Sequence, residues 1–212
     1  MGKAQALRAA LTLTGNALAG ACLAPCCACC HGPLESPLDG PVCPRCWEDA
    51  RAAGGRYDGT LRDIIHAMKY EGRRSLAVPL AALLRDRHHA TLAGASAVVP
   101  VPLFPWRRLR RGFNQAADLA ALLDLPVVHA LWRVRPTAPQ TGLTAAQRRR
   151  NVRGAFRISP FLRRKTRARC ITDRIVVRVD DVMTTGATSA ACAELLAEAG
   201  ARDVRVVTLA RA

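Results

Sequence analysis

Residues 175–188 read Ile-Val-Val-Arg-Val-Asp-Asp-Val-Met-Thr-Thr-Gly-Ala-Thr. Two adjacent carboxylates, Asp180 and Asp181, are followed two residues later by a loop of small and hydroxylic side chains. Phosphate oxygens need N–H and O–H donors, and this loop offers both. Gly186 can take the backbone angles by which successive N–H groups converge on an anion. Thr184, Thr185 and Thr188 add hydroxyls, and Ala187 keeps the loop small. A helix beginning here contributes its unpaired N–H groups and the positive end of its dipole. Carboxylates are poorly suited to hold phosphate, but they accept charge-assisted hydrogen bonds from vicinal sugar hydroxyls. The string therefore describes a site for a phosphorylated sugar. It lacks the lysine of a GxxxxGK[ST] phosphate loop, which argues against an ATPase.

Two elements must position these groups. The apolar, β-branched run Ile175–Val179 predicts a strand buried on both faces that stops at the acids. The alanine- and leucine-rich stretch from Ser189 to Ala199 predicts the helix behind the loop. Arg178 breaks the apolar strand pattern and requires either an uncovered part of the sheet or an acidic partner.

The whole string resembles the phosphoribosyl pyrophosphate (PRPP) motif of type I phosphoribosyltransferases. That resemblance implies that Asp180 and Asp181 hold the ribose hydroxyls. It implies too that Thr184, Thr185, Gly186, Ala187 and Thr188 cradle the 5′-phosphate.

A second set of chemistry-bearing residues lies near the N-terminus. Of nine cysteines, Cys43 and Cys46 form one CxxC pair. The cluster Cys26-Cys27-Ala28-Cys29-Cys30 holds two overlapping registers, Cys26/Cys29 and Cys27/Cys30. Either register, joined to Cys43/Cys46, gives the two-knuckle spacing of a zinc ribbon, and His31 is an alternative ligand. Four thiolates leave no open position on the metal, so its role is structural. Cys170 and Cys192 are expected only to pack.

The chain has 212 residues, half of them hydrophobic, and a net charge of +16. That size suits one core with a small appended module. Such a basic surface attracts polyanions: PRPP, pyrophosphate or nucleic acid. No stretch reaches ~18 uninterrupted apolar residues, so no transmembrane span is expected. Residues Ala6 to Ala24 have signal-peptide-like flanks, but Thr12, Thr14, Gly15 and Asn16 interrupt the run. An amphipathic helix packed on the body is expected instead, in a cytoplasmic protein whose reduced thiols serve a metal rather than disulfides.

Between the two motifs, Leu61, Ile64, Ile65, Met68, Leu76, Leu80, Leu83 and Leu84 recur at helical steps, with a break at Lys69–Gly72. Short strands are expected at Val98–Val101, Pro126–Ala130 and Gly154–Ile158, and a last one at Asp203–Ala210. A basic loop is expected from Trp106 to Gln115, leading into a helix that runs to about Leu123. A long polar loop, a candidate lid, covers residues 133–151. Residues 101–158 hold eleven arginines against the two acids Asp118 and Asp124, the balance expected of a pyrophosphate site. Arg111 is a candidate PRPP ligand, and Arg148 joins Asp180 and Asp181 as a candidate catalytic group.

Several motifs together resemble the ComF family of competence-associated proteins. They are the paired CxxC, Tyr57-Asp58-Gly59 with Lys69-Tyr70, Pro100-Val101-Pro102, Arg111–Gln115, and the series Thr137, Gln140, Leu143, Arg148, Asn151 and Gly154–Phe156. Cys30-His31-Gly32-Pro33-Leu34 also matches the family's sequence after a knuckle, which favours Cys27, Cys30, Cys43 and Cys46 as zinc ligands. The resemblance implies an α/β fold: a type I phosphoribosyltransferase-like parallel sheet flanked by helices (residues 53–212) behind a zinc-ribbon-like module (residues 1–52). It makes Val101 and Pro102 part of the pyrophosphate loop and residues 140–151 the flexible loop. It implies PRPP with Mg²⁺ as ligand, a structural Zn²⁺, and a role in uptake of transforming DNA alongside DNA-uptake proteins. The alternative is a factor that binds single-stranded DNA and whose PRPP site turns over little.

Overall fold

A computed structural model describes residues 3–136 and 154–212 of the chain. It divides into two compact units, Met1–Leu76 and Ala77–Ala212. The first opens with helix α1 (Lys3–Leu23). Asn16, buried on α1, accepts a 2.9 Å hydrogen bond from the Leu38 N–H, which anchors the helix to the 3-10 turn Pro37–Asp39. Gly15 permits this approach, because Leu38 Cδ1 lies 2.9 Å from where a Cβ would stand. Helix α2 (Pro44–Ala52) begins at Cys43 with proline in its first turn, where the missing N–H has no partner to lose. Helix α3 (Gly59–Tyr70) buries Leu61, Ile64, Ile65 and Met68, the stripe expected from their spacing, and stops inside the expected Lys69–Gly72 break.

The second unit begins with α4 (Ala77–Leu92), which buries Leu80, Leu83 and Leu84 and kinks at His88. Strand β1 (Ala97–Pro100) follows. Next come two short helices, α5 (Pro105–Arg111) and α6 (Gln115–Ala120), where a basic loop was expected to run to Gln115. Pro105 presets the first turn of α5, and arginine is a good helix former, so the basic run is helical. The expected strand Pro126–Ala130 reduces to a single parallel bridge between Val127 and Val98. There the Ala130 N–H turns back 2.9 Å to the Val128 carbonyl and closes a tight turn instead of extending the ladder. The chain then forms β2 (Leu131–Arg133), antiparallel to β3 (Phe156–Ile158).

Helix α7 (Arg164–Cys170), strand β4 (Ile175–Met183), helix α8 (Ala187–Glu198) and strand β5 (Asp203–Arg211) complete the unit. The main sheet has the order β1-β4-β5 and is wholly parallel, as expected for an α/β fold. Central β4 buries Val176, Val177 and Val179 completely. Helix α8 packs against β3, β4 and β5, while α4 lies against β5 and α6 against β1 and β4. Covered strands of this kind read as continuous apolar runs, which is why β4 was legible.

Helix α8 also has a cation at its end: Arg167 Nε donates 2.8 Å to the Ala199 carbonyl, one of the acceptors a helix leaves unpaired. Arg167→Ala is expected to cost about 1 kcal/mol. The check is a lower urea midpoint with an unchanged slope.

Candidate functional site

The acids lie within β4 rather than beyond its end, since the ladder continues through Asp180↔Thr208 and Val182↔Ala210. Alternation along a strand puts Val176, Arg178 and Asp180 on one face and Asp181 on the other. Arg178 explains its place in the apolar run by pairing. It is fully buried, donating from Nη1 to Asp180 Oδ2 at 3.0 Å and from Nη2 to the Ser189 hydroxyl at 3.0 Å. Asp180 Oδ1 accepts the Asp181 N–H at 3.0 Å. Each Asp180 oxygen thus keeps one lone pair for another donor. Burial pushes the Asp180 carboxyl above the ordinary carboxylate range; the Asp181 carboxylate adds to the push and Arg178 opposes it.

Beyond Met183 the chain turns through exposed Thr184 and Thr185 to Gly186, which takes the left-handed angles φ 74°, ψ −3°. A side chain there would strain the turn. Helix α8 starts directly at Ala187, so its first N–H groups open at the carboxyl edge of the sheet, beside the two acids. Residues 180, 181 and 184–188 are therefore contiguous at one edge.

Val101 and Pro102 leave β1 at the same edge: the Val101 N–H donates 3.0 Å to the Val179 carbonyl. Asn114 donates from Nδ2 to the Val101 carbonyl at 3.0 Å, which pins the turn between α5 and α6 to the end of β1. Arg111, at the end of α5, donates 2.9 Å to Gln115 Oε1. Arg133, expected in the polar loop, is instead a buried strand residue of β2. Burial and then Arg107 pull its pKa down, while Cys192 and Asp180 pull it up, so it shares the electrostatic field of the acid. Cys192 packs on the same side, its thiol pushed up to about 12, first by burial. Gln140, Arg148 and Asn151 fall outside the described residues.

In the first unit the sulfurs of Cys27, Cys30, Cys43 and Cys46 all lie within 4.8 Å of one another. A tetrahedron with metal–sulfur bonds of ~2.3 Å has sulfur–sulfur edges of about 3.8 Å. The Cys30 and Cys43 sulfurs are 3.8 Å apart. The N–H groups of Cys29 and Cys43 point at Cys27 Sγ at 3.5 and 3.4 Å, orienting and stabilising a thiolate. Burial alone would raise the Cys27 pKa, but the N–H groups of Cys43, Cys29 and Cys30 and the Cys30 side chain outweigh it and bring the thiol to about 6. Burial, and then its neighbouring thiols, push Cys46 upward. The four thiols fit a metal ion. Among the described residues Cys26 and Cys29 are not part of that group: Cys26 Sγ turns to the Ala24 carbonyl.

The family described as phosphoribosyl transferase domain matches residues 109–212, which include every element of the acid–loop–helix site. Competence protein F of Haemophilus influenzae is 36% identical over 169 residues, covering 74% of this chain and 71% of that protein. The chain belongs to the ComF family. DNA utilization protein YhgH of Salmonella typhi is 37% identical over 169 residues, 73% of this chain and 69% of that one. A solved structure of the allosteric regulatory enzyme of purine biosynthesis aligns over 63% of this chain and 26% of that one, at a TM-score of 0.39 and 23% identity. This ComF chain thus joins a phosphoribosyltransferase domain to a four-cysteine cluster.

Arg178, Ser189 and Arg133 are the site groups that motif spacing did not supply. Arg178 carried a signal, because residues two apart on a strand share a face and an arginine two before an acid is placed to pair with it. Ser189 and Arg133 carried none.

Proposed function

We propose that this ComF protein binds PRPP with Mg²⁺ at residues 180–188 and transfers its phosphoribosyl group, in the cytoplasm, as part of DNA uptake. The observation that carries the reading is the contiguity of two acids, a left-handed glycine and a helix start at one edge of a parallel sheet. Asp180 and Asp181 accept the ribose 2′- and 3′-hydroxyls. Thr184, Thr185, Thr188 and the backbone of Gly186 and Ala187 donate to the 5′-phosphate. The segment Val101–Pro102, with Arg111 and Arg148, receives the pyrophosphate and stabilises the charge that grows as it departs. Mg²⁺, which accompanies PRPP, would supply further charge neutralisation to that leaving group. Zn²⁺ holds the N-terminal cysteines in a structural site. The names Competence protein F and DNA utilization protein YhgH support a role in handling DNA; single-stranded DNA and DNA-uptake proteins are the partners this reading adds.

Transfer is tested by incubating the full chain with PRPP, Mg²⁺ and a panel of bases and amines while pyrophosphate release is followed. Release that depends on one acceptor is expected; no release with any acceptor leaves a binding site without turnover. The acid pair also fixes a pH dependence. An ionised carboxylate is needed to accept from the diol, and Asp180 is held above the ordinary aspartate value of about 3.9. Sugar-phosphate affinity should therefore fall, as pH is lowered, before an ordinary aspartate would protonate. An acid limb at or below the ordinary value contradicts this.

A further inference from the structure

Arg178 occupies a place where an apolar side chain would fit more cheaply. Its strand neighbours at the same level are Val99 and Val206, and none of its side chain is exposed. Its Nε has no hydrogen-bond partner among the described residues. A buried guanidinium costs desolvation that valine does not, so its presence is not explained by stability. What the guanidinium adds is a link between two elements. One nitrogen holds Asp180, the acid assigned to the ribose diol, and another holds Ser189, on the first turn of the helix assigned to the phosphate.

We infer that Arg178 is a positioning residue of the sugar-phosphate site, fixing the diol acid and the phosphate helix to each other through a single guanidinium. The inference rests on residues 180–188 being the sugar-phosphate site. Two consequences follow from hydrogen-bond chemistry. First, a serine hydroxyl that accepts from an arginine keeps its own O–H proton free to donate. Accepting a charged donor also polarises that O–H, so Ser189 becomes a phosphate donor beyond the Thr-Thr-Gly-Ala-Thr loop. Second, the guanidinium favours the ionised form of Asp180 against burial and against Asp181. The other charged or titratable groups acting on this acid from the packed elements are Arg133 on β2 and Cys192 on α8. Arg133 favours the ionised form through its charge, whereas Arg178 bonds the acid directly.

The test is a calorimetric titration of the full chain with PRPP and Mg²⁺ from about pH 4 to about pH 8, for wild type, Arg178→Met and Arg178→Lys. Arg178→Met should weaken binding by about 10- to 100-fold, the loss expected for removing charge-assisted bonds. It should also move the acid limb to higher pH, because Asp180 loses the group that keeps it ionised. Arg178→Lys should restore the acid limb while recovering only part of the affinity, since an ammonium cannot span both partners in the plane of a guanidinium. A purely structural role would not move the limb. If wild type binds and Arg178→Met binds with equal affinity and the same limb, Arg178 has no positioning role. If wild type does not bind at all, the sugar-phosphate reading itself fails. Should Arg178→Met not fold, the pair Arg178→Met/Asp180→Asn removes both charges together. Compared with Asp180→Asn alone, it should bind inorganic phosphate several-fold more weakly through the lost support of Ser189, and equal phosphate affinity in the two overturns the inference.

Discussion

Replacing Cys27 and Cys46 together by serine is expected to unfold the cysteine module, residues 24–52, while leaving the parallel sheet intact. Structural zinc contributes about 10–16 kcal/mol to folding in small thiolate modules, as much as the whole net stability of many domains, about 5–15 kcal/mol. Around the cysteines the local backbone has little else to hold it. Besides the cysteines, Ala28, Leu34, Val42 and Ala50 are its buried apolar residues, and its bonds are short loop closures such as Cys27 N–H to the Gly32 carbonyl and Ala28 N–H to the Pro41 carbonyl, both 2.8 Å, and Leu34 N–H to the Pro25 carbonyl at 2.9 Å. Serine retains the volume but not the thiolate, so the variant should purify without zinc. Amide hydrogen exchange should then show protection lost across residues 24–52 and kept in β4 and β5. Retained protection in a zinc-free variant would show that the metal does not hold this module together.

The second large effect concerns Asp180. Asp180→Leu leaves the buried Arg178 guanidinium without its acidic acceptor, a loss of about 3 kcal/mol or more. Asp180→Asn keeps an oxygen facing Arg178 and should cost no more than about 1 kcal/mol. The difference follows from the direction of the shift. Because the folded-state pKa of Asp180 is raised, this group's contribution to stability is fully present below the unfolded value, about 3.9, and is lost as pH rises through the folded value. Asparagine resembles the protonated carboxyl that the fold already favours. Both variants nevertheless lose the charge that a diol needs, so both should lose PRPP affinity while differing in stability. Urea unfolding beside calorimetry separates the two effects; equal stability of the leucine and asparagine variants would mean that Arg178 does not depend on Asp180.

Much of this was legible in the chain because the deciding residues are local in sequence. The acids, the glycine and the start of α8 fall within nine residues, and a buried parallel strand announces itself as an unbroken apolar run. The cysteine pairs were legible for the same reason, and the sulfurs of Cys27, Cys30, Cys43 and Cys46 lie within 4.8 Å of one another. Long-range partnerships were not legible. Nothing near Arg133 in sequence places it in a buried hairpin with Phe156, because that pairing spans 23 positions. Nothing beside Ser189 in the sequence tells that the Arg178 guanidinium reaches its hydroxyl. The helical turn of Pro105–Arg111 was missed because charge masks propensity: an arginine-rich run with no residue of the helix buried gives no hydrophobic period to read.

The most direct measurement of the central claim is calorimetric titration of PRPP with Mg²⁺ into the wild-type chain and into Asp180→Asn/Asp181→Asn. The account predicts saturable binding at one site in the wild type and an affinity lower by about 100-fold or more in the variant, both folded by circular dichroism. Absence of heat with the wild type, or equal affinity in the two proteins, would contradict it.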